Sequence, residues 1–264
     1  MKHFLSFRGG KIAYQTKGKG EAVVLLHGFL ANSALWKDIT PRLSKHYRLF
    51  IIDLPGHGAS STYGYLHKME FVAEIVLAIL KTHGIRKTFL VGHSLGGYVA
   101  LAFAEKNPDM IKGILLINST AKGDSVKRKH SREQLKKLLY LDREKAIGHL
   151  VPTFFRVKSR KRQYYLKRYL NMAKSCDLGG ISANIEGMKN RKEREIVLKF
   201  APYPFAYLIG EKDNILKAED LIEESKLSTK GSALIIEEGS HMLPLEATEK
   251  TLSSIRLFLT QLRI

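Results

Sequence analysis

Short apolar runs alternate with amphipathic stretches towards both ends of the chain. Residues 22–26 (AVVLL) form a continuous apolar run, which is typical of a strand buried on both faces. In Met69–Thr82 the apolar residues recur at helical spacing and stop before Gly84, a common helix terminator. The same criteria predict strands at 47–54, 88–91, Ile111–Ile117, 205–209 and 233–237, and helices at 33–44, Leu95–Lys106, 217–226 and 245–262. This alternation, after a weak opening hairpin (5–7 with 12–16), predicts an α/β fold with a mostly parallel sheet flanked by helices.

The middle of the chain, residues 121–199, lacks strand-like runs. Its apolar residues instead form helical stripes: Leu135, Leu138, Leu139, Ala146, Ile147 and Leu150; Tyr165, Leu166, Tyr169, Leu170 and Ala173; Ile181, Ile185 and Met188. We therefore expect a helical insertion between two strands of one domain, whose core is formed by residues 1–120 and 200–264.

Length and composition favour a single folded domain. The chain has 264 residues, 44% of them hydrophobic, which is enough for a sizeable core. Its single cysteine, Cys176, allows no disulfide framework and is expected to be a packing residue. The first ten residues lack the features of a signal peptide, and no run approaches the roughly 18 apolar residues that span a bilayer. The expected location is therefore the cytoplasm.

The positive charge is concentrated in the predicted helical insertion. The whole chain carries 44 Lys and Arg against 25 Asp and Glu, a net charge of +19; residues 121–200 alone carry 22 against 8, or +14. Segment 156–168 (RVKSRKRQYYLKR) also mixes basic with aromatic residues. Such a pattern suits an anionic substrate, lipid headgroups or RNA, and equally a solvated face. Because only the charge indicates RNA, no nucleic-acid partner is expected, while peripheral contact with a membrane stays open.

Residues 92–96 (GHSLG) match G-x-S-x-G, a motif that indicates a nucleophilic serine only in the right structural context. Here a predicted strand enters the motif and a predicted helix leaves it. In so tight a turn Ser94 must adopt a strained backbone, and side chains at positions 92 and 96 would collide. The strain holds the hydroxyl out above the sheet, next to the helix N-terminus. Ser94 is therefore the candidate nucleophile.

Two further motifs precede this one. His27-Gly28-Phe29 follows the first buried strand, and residues 53–60 (DLPGHGAS) follow the next. Together with 92–97 (GHSLGG), these motifs in this order resemble the α/β-hydrolase family over nearly the whole chain. The resemblance implies the α/β-hydrolase fold, a helical cap over the pocket, and a catalytic Ser, acid and His in that order along the chain.

The resemblance also implies the partners of Ser94. His241, in the loop before the last helix, corresponds to the family's base, and Asp213, in a G-x-x-D turn, to its acid; Glu211 is the nearest alternative acid. The expected oxyanion donors are the backbone N–H groups of Phe29 and Leu95. Neither a cofactor nor a metal is expected.

Substrate contacts are expected from the cap and from the helix predicted at 33–44. The candidates are Trp36, Phe154, Tyr165 and Met188, each of which could instead fill the core of the cap. We further expect some basic residues of the insertion to steer an anionic or phosphate-bearing acyl substrate towards the pocket.

The leading prediction is a serine hydrolase that cleaves carboxylic esters through an acyl-Ser94 intermediate. A C–C bond hydrolase or lyase on the same triad is one alternative, and such enzymes usually place an arginine in the pocket. A weakly catalytic small-molecule receptor is another, and a nucleic-acid or membrane binder is a third. Dehalogenase and epoxide hydrolase activities are disfavoured, because enzymes of this fold with those activities use aspartate at the position of Ser94.

Overall fold

A computed structural model describes residues 2–156 and 162–261. Its centre is a single eight-stranded sheet in the order β1-β2-β4-β3-β5-β6-β7-β8. The strands are β1 (Lys2–Phe7), β2 (Gly10–Lys17), β3 (Glu21–Leu26), β4 (Tyr47–Ile52), β5 (Thr88–His93), β6 (Ile111–Ile117), β7 (Phe205–Gly210) and β8 (Gly231–Ile236). β2 pairs antiparallel with β1 and β4, and the pairs from β4 through β8 are parallel. The predicted α/β class with a mostly parallel sheet is confirmed.

Helices cover both faces of the sheet, which explains the apolar runs. All six residues of β5 and of β7 are buried, as expected for strands with a helix layer on each side. The helices are α1 (Thr40–Leu43), α2 (Met69–Thr82), α3 (Leu95–Lys106), α4 (Val126–Leu141), α5 (Arg143–Leu150), α6 (Arg162–Lys174), α7 (Leu178–Lys189), α8 (Glu195–Lys199), α9 (Ala218–Ser225), α10 (Leu243–Glu246) and α11 (Thr248–Thr260).

Two predicted helices are interrupted in the structure. The helix predicted at 33–44 is a 3₁₀ turn, Ser33–Trp36, followed by the four-residue α1. Pro41, in the first turn of α1, has no N–H to donate to the preceding turn, so a continuous helix cannot form there. The closing helix predicted at 245–262 begins earlier, as α10, and breaks at Ala247, whose backbone is not helical (φ −127°, ψ 44°). Residue 262 lies outside the described residues.

All of α4 to α8 lies between β6 and β7, as the helical stripes predict. The two ends of this helical segment meet, because the Arg194 N–H donates to the Ala121 carbonyl at 2.7 Å. The buried Arg194 guanidinium also pairs with Glu70 on α2 and Glu105 on α3, at 2.6 and 3.0 Å. The segment is therefore tied to the helix layer at the point where the chain returns to the sheet.

Two buried imidazoles hold the loops that follow β3 and β4. His27 Nδ1 bonds the Gly28 carbonyl at 2.8 Å, while its Nε2 accepts the Leu54 N–H at 2.9 Å. His57 Nε2 accepts the Leu30 N–H at 3.2 Å. A ring nitrogen that accepts a hydrogen bond belongs to a neutral imidazole. Burial lowers the pKa of His27 to about 4, and burial is also the main reason that the pKa of His57 lies well below its usual value.

Because these buried histidines are neutral in the folded protein, we expect the free energy of unfolding to fall as the pH drops from about 7 to about 5. Between the ordinary pKa of 6.5 and the folded value of about 4 for His27, the unfolded chain binds a proton that the folded chain does not. The contribution of each such histidine to the free energy of unfolding is therefore fully present above the unfolded pKa. It is lost on acidification, by up to about 1.4 kcal/mol per pH unit.

Urea unfolding at both pH values measures this loss. His27→Gln should make the pH dependence shallower, and His130→Gln, at an exposed position on α4, should not change it. A constant free energy of unfolding across this range contradicts the prediction.

Candidate functional site

The turn between β5 and α3 gives Ser94 an unusual backbone conformation. Its φ is +50° and its ψ is −114°, a region of backbone conformation that residues other than glycine rarely occupy. A Cβ on Gly92 would lie 2.5 Å from the Gly96 carbonyl oxygen, and a Cβ on Gly96 would collide with the Leu26 carbonyl on β3. Both glycines are therefore required by backbone contacts, as predicted from the tightness of the turn.

A chain of hydrogen bonds links Ser94 to two side chains from distant loops. His241 Nε2 lies 3.1 Å from Ser94 Oγ, and His241 Nδ1 lies 2.8 Å from Asp213 Oδ2. The other carboxylate oxygen, Asp213 Oδ1, accepts the backbone N–H groups of Ile215 and Leu216, at 2.7 and 3.2 Å. Because a carboxylate only accepts, His241 carries its proton on Nδ1 and presents the Nε2 lone pair to the serine hydroxyl.

Asn118, at the carboxyl end of β6, holds this arrangement together. Its Nδ2 donates to the Ser240 and His241 carbonyls, at 2.8 and 3.0 Å, and its Oδ1 accepts the Gly210 N–H at 2.8 Å. One amide thus joins the ends of β6 and β7 to the loop that carries His241. The sequence indicated only that Asn118 is not an acid; its position, a polar residue directly after a central strand, was the available signal.

His93 is a second support for the same loop. Its Nε2 donates to the His241 carbonyl at 2.9 Å, which requires a proton on Nε2 and leaves Nδ1 without one in the neutral ring. Burial is the main reason that the pKa of His93 is lowered to about 3. His93 therefore stays neutral and acts on the backbone of the loop rather than on the serine.

The start of α3 and the loop after β3 both lie at the cavity that contains Ser94. α3 begins at Leu95, whose N–H has no acceptor within the helix and lies at the positive end of the helix dipole. Phe29 is in the loop after β3 and lines the cavity above Ser94. Its carbonyl accepts the Tyr169 hydroxyl of α6, so the helical segment contacts this loop directly.

A small cavity of about 60 Å³ lies above Ser94. It is lined by Phe29, His93, Ser94, Tyr98, Arg128, Arg132, Phe154, Tyr169, Met188, Ile215 and His241. Phe154 and Met188, two of the four side chains predicted to contact substrate, are thus brought to the site. The Phe154 ring centroid lies 5.7 Å from that of His241.

The other two predicted contact residues lie elsewhere. Trp36 is fully buried in the core, where its 3₁₀ turn packs against α10. Tyr165 lines a separate cavity of about 480 Å³, together with Arg156 and Glu246. Helical spacing placed Tyr165 in an apolar stripe but could not show which neighbour it faces.

A larger cavity of about 600 Å³ adjoins the one above Ser94. The two share Phe29, Arg128, Arg132, Phe154 and Ile215 as lining residues. The arginines are one helical turn apart on α4, so they project from the same face. The sequence shows the positive charge of residues 121–200 as a whole but does not distinguish these two arginines from the other cations, although their i, i+4 spacing is visible.

Several other cations of the helical segment pair with acids. Arg168 bonds Asp38 at 2.6 Å, Lys136 bonds Glu186 at 2.7 Å, and Arg156 pairs with Glu238. Residues 157–161, the middle of the basic segment 156–168, lie outside the described residues. Within the described part of the chain, then, several cations are already engaged in ion pairs.

The remaining sequence expectations concern Cys176, metals and membranes. Cys176 is buried, and burial raises the pKa of its thiol to about 12, so it does not present a thiolate nucleophile. In ranges 2–156 and 162–261, no group of three His, Cys, Asp or Glu side chains is placed to hold a metal ion. Within those same ranges, every helix is too short or too polar to cross a membrane.

Comparison with known proteins identifies the family. A family model described as the alpha/beta hydrolase fold matches residues 21–248. A pimeloyl-[acyl-carrier protein] methyl ester esterase from Sodalis glossinidius is 40% identical over 108 residues, a match that spans 40% of each protein. The enzyme of the same name from Aliivibrio fischeri is 23% identical over 255 residues, 94% of this chain and 97% of its own length.

Solved structures agree with this assignment. A thermophilic esterase from Thermogutta terrifontis, solved with malate bound, superposes with a TM-score of 0.93 at 25% identity over the full length of both chains. An enol-lactonase from Burkholderia xenovorans shares the fold, with a TM-score of 0.89 at 21% identity over 98% of this chain and all of its own. The chain therefore belongs to the α/β-hydrolase fold family and is an esterase-like hydrolase.

Proposed function

We propose that this protein hydrolyses carboxylic esters through an acyl intermediate on Ser94, with His241 as the base and Asp213 as the acid that orients it. The hydrogen-bond chain from Asp213 through His241 to Ser94, at 2.8 and 3.1 Å, is the observation that carries the proposal. Nucleophile, base and orienting acid within hydrogen-bond reach of one another are the geometry that such chemistry requires.

In the first half-reaction Ser94 Oγ adds to the ester carbonyl carbon while His241 Nε2 takes the hydroxyl proton. The carbonyl oxygen becomes an oxyanion, for which the backbone N–H groups of Phe29 and Leu95 are the proposed donors. The tetrahedral intermediate then collapses: the bond to the alkoxy oxygen breaks, His241 returns the proton to that oxygen, and the alcohol leaves an acyl-serine behind.

Water completes the cycle by the same route. His241 takes one proton from water as the water oxygen adds to the acyl carbon. Collapse of this second intermediate expels Ser94 Oγ, which recovers its proton from His241, and the carboxylic acid leaves. Asp213 keeps its negative charge throughout and stabilises the imidazolium in each half-reaction. The relatives named as esterases support an ester as the substrate.

The helical segment, residues 121–199, is the proposed cap over the site, inserted into a core of residues 1–120 and 200–264. Its support is the cavity wall, to which α4, α6 and α7 contribute Arg128, Tyr169 and Met188. The segment is also anchored to the loop after β4, because Asn184 Nδ2 donates to the Pro55 carbonyl at 2.9 Å. A cap in this position limits the access of water and selects substrates by shape.

A second candidate function is that of a C–C bond hydrolase or lyase that uses the same three residues. The observation that favours it is the pair of arginines in the wall of the cavity, Arg128 and Arg132. The two functions differ in substrate: an ester hydrolase turns over simple alkyl esters, whereas a C–C enzyme requires an activated ketone and leaves them intact.

Replacement of Ser94 tests the nucleophile. We expect the wild type to react rapidly with a fluorophosphonate probe and to hydrolyse short-chain esters, and Ser94→Ala to lose both because it has no oxygen to acylate. Ser232→Ala, at an exposed position on β8, is the control and should behave as the wild type.

Labelling of the wild type without turnover of any ester would favour the C–C enzyme or a receptor. Equal labelling of wild type and Ser94→Ala would contradict the proposed nucleophile.

Replacement of each candidate acid tests its assignment. Asp213→Asn should lower kcat by roughly 10³- to 10⁴-fold, because an amide no longer holds His241 in the tautomer that accepts the serine proton. Glu211→Gln should keep nearly full activity, since Glu211 bonds the Glu238 N–H and not the imidazole. The variants are compared by steady-state kinetics on one ester, and thermal unfolding verifies that each is folded. A larger loss of kcat in Glu211→Gln than in Asp213→Asn would reverse the assignment.

A further inference from the structure

Three arginines converge on one buried carboxylate beside the catalytic cavity. The Asp124 side chain, just before α4, is fully buried and accepts hydrogen bonds from Arg132 and Arg191. The Nε of Arg128 lies 3.6 Å from the same carboxylate. Burial acts to raise the pKa of Asp124, but the hydrogen bonds and charges of Arg132 and Arg191 outweigh it, so the net shift is downward. The four side chains of this cluster therefore carry two more positive charges than negative.

The excess charge faces the catalytic cavity. Arg128 and Arg132 line both the cavity that contains Ser94 and the adjoining one. Their side chains are 31% and 12% exposed, so a small molecule in the cavity can reach them. Arg191 lies behind the wall, with its guanidinium carbon 4.0 Å from the ring centroid of Tyr98, which also lines the catalytic cavity.

The donors on this face are only partly used. Arg132 Nη1 donates to the Met188 thioether at 3.3 Å, and a thioether is a weak acceptor. Arg128 Nη1 donates to the neutral Ile215 carbonyl at 3.1 Å. A carboxylate is the stronger acceptor for both, and guanidinium groups match its planar geometry. The apolar side chains around the two cavities, Phe29 and Phe154 among them, would strengthen such a charged contact.

We propose that Arg128 and Arg132 form a subsite for a carboxylate carried by the substrate. This inference rests on the proposed ester hydrolysis and narrows its substrate class to esters with a second, ionised carboxyl group. That group can belong to the acyl part, as in the half-ester of a dicarboxylic acid, or to the alcohol part, as in an acylated hydroxy acid. The same subsite disfavours a positively charged substrate.

Pairs of esters that differ only in charge test the subsite. Monomethyl glutarate and its amide counterpart, methyl glutaramate, place the charge in the acyl part; acetoxyacetate and acetoxyacetamide place it in the alcohol part. For at least one pair we expect the wild type to prefer the carboxylate in kcat/KM by about tenfold or more. The pair that shows the preference identifies the side of the scissile bond on which the charge belongs.

Substitutions assign the preference to the arginines. Arg128→Gln should lower kcat/KM for the preferred carboxylate ester about tenfold more than for its amide partner. Lys129→Gln, the adjacent exposed position on α4, is the matched control for loss of one charge and should keep the wild-type preference. Arg132 also holds Asp124, so Arg132→Lys is compared only after thermal unfolding verifies its fold; it should lose part of the preference.

A binding measurement makes the test independent of turnover. The glutarate dianion should bind the wild type in calorimetry, and Arg128→Gln should bind it several-fold more weakly. If both members of each ester pair react alike, or if Arg128→Gln and Lys129→Gln change the preference equally, the subsite is wrong while ester hydrolysis stands. If no ester reacts and Ser94 is not labelled, the proposed function fails, and glutarate binding then decides the subsite alone.

Discussion

The tight turn between β5 and α3 is the constraint on which the site depends. It holds Ser94 at a positive φ, a conformation that costs about 1–3 kcal/mol for a residue with a side chain. Backbone contacts enforce it from several sides: the Ser94 N–H donates to the Ile117 carbonyl at 3.0 Å, and the Ser119 hydroxyl donates to the Ser94 carbonyl at 2.8 Å. With its backbone held in this way, the serine keeps its hydroxyl within reach of His241.

The parallel sheet supplies the rest of the geometry. Asp213 follows β7 and His241 follows β8, and in a parallel sheet the carboxyl ends of neighbouring strands meet at one edge. Asn118 joins these ends through one side-chain amide, and the neutral His93 holds the same loop. The Asn118 amide and the His93 Nε2–H are thus both bonded to backbone, and both hold the loop that carries His241.

The core of the site was predictable because local rules determine it. Apolar runs identify the buried strands, and the glycines at 92 and 96 identify the tight turn, from a few neighbouring residues each. The order of Ser, acid and His is read directly along the chain. What the sequence could not show was orientation across the fold. Phe154 and Trp36 are both aromatic residues near turns, yet one faces His241 and the other fills the core. Arg128 and Lys129 are adjacent basic residues on α4, and only the packing of the helix determines that Arg128 faces the cavity while Lys129 is exposed.

The helical segment also contributes to the site, because Arg128 and Arg132 on α4 lie in the wall of the cavity above Ser94. The acyl-serine chemistry proposed at this site is tested most directly by mass spectrometry of enzyme quenched during turnover of a slow ester. We expect a transient mass increase equal to the acyl group, located on the peptide that contains Ser94. Ester turnover with no covalent adduct, or with the adduct on another residue, would contradict it.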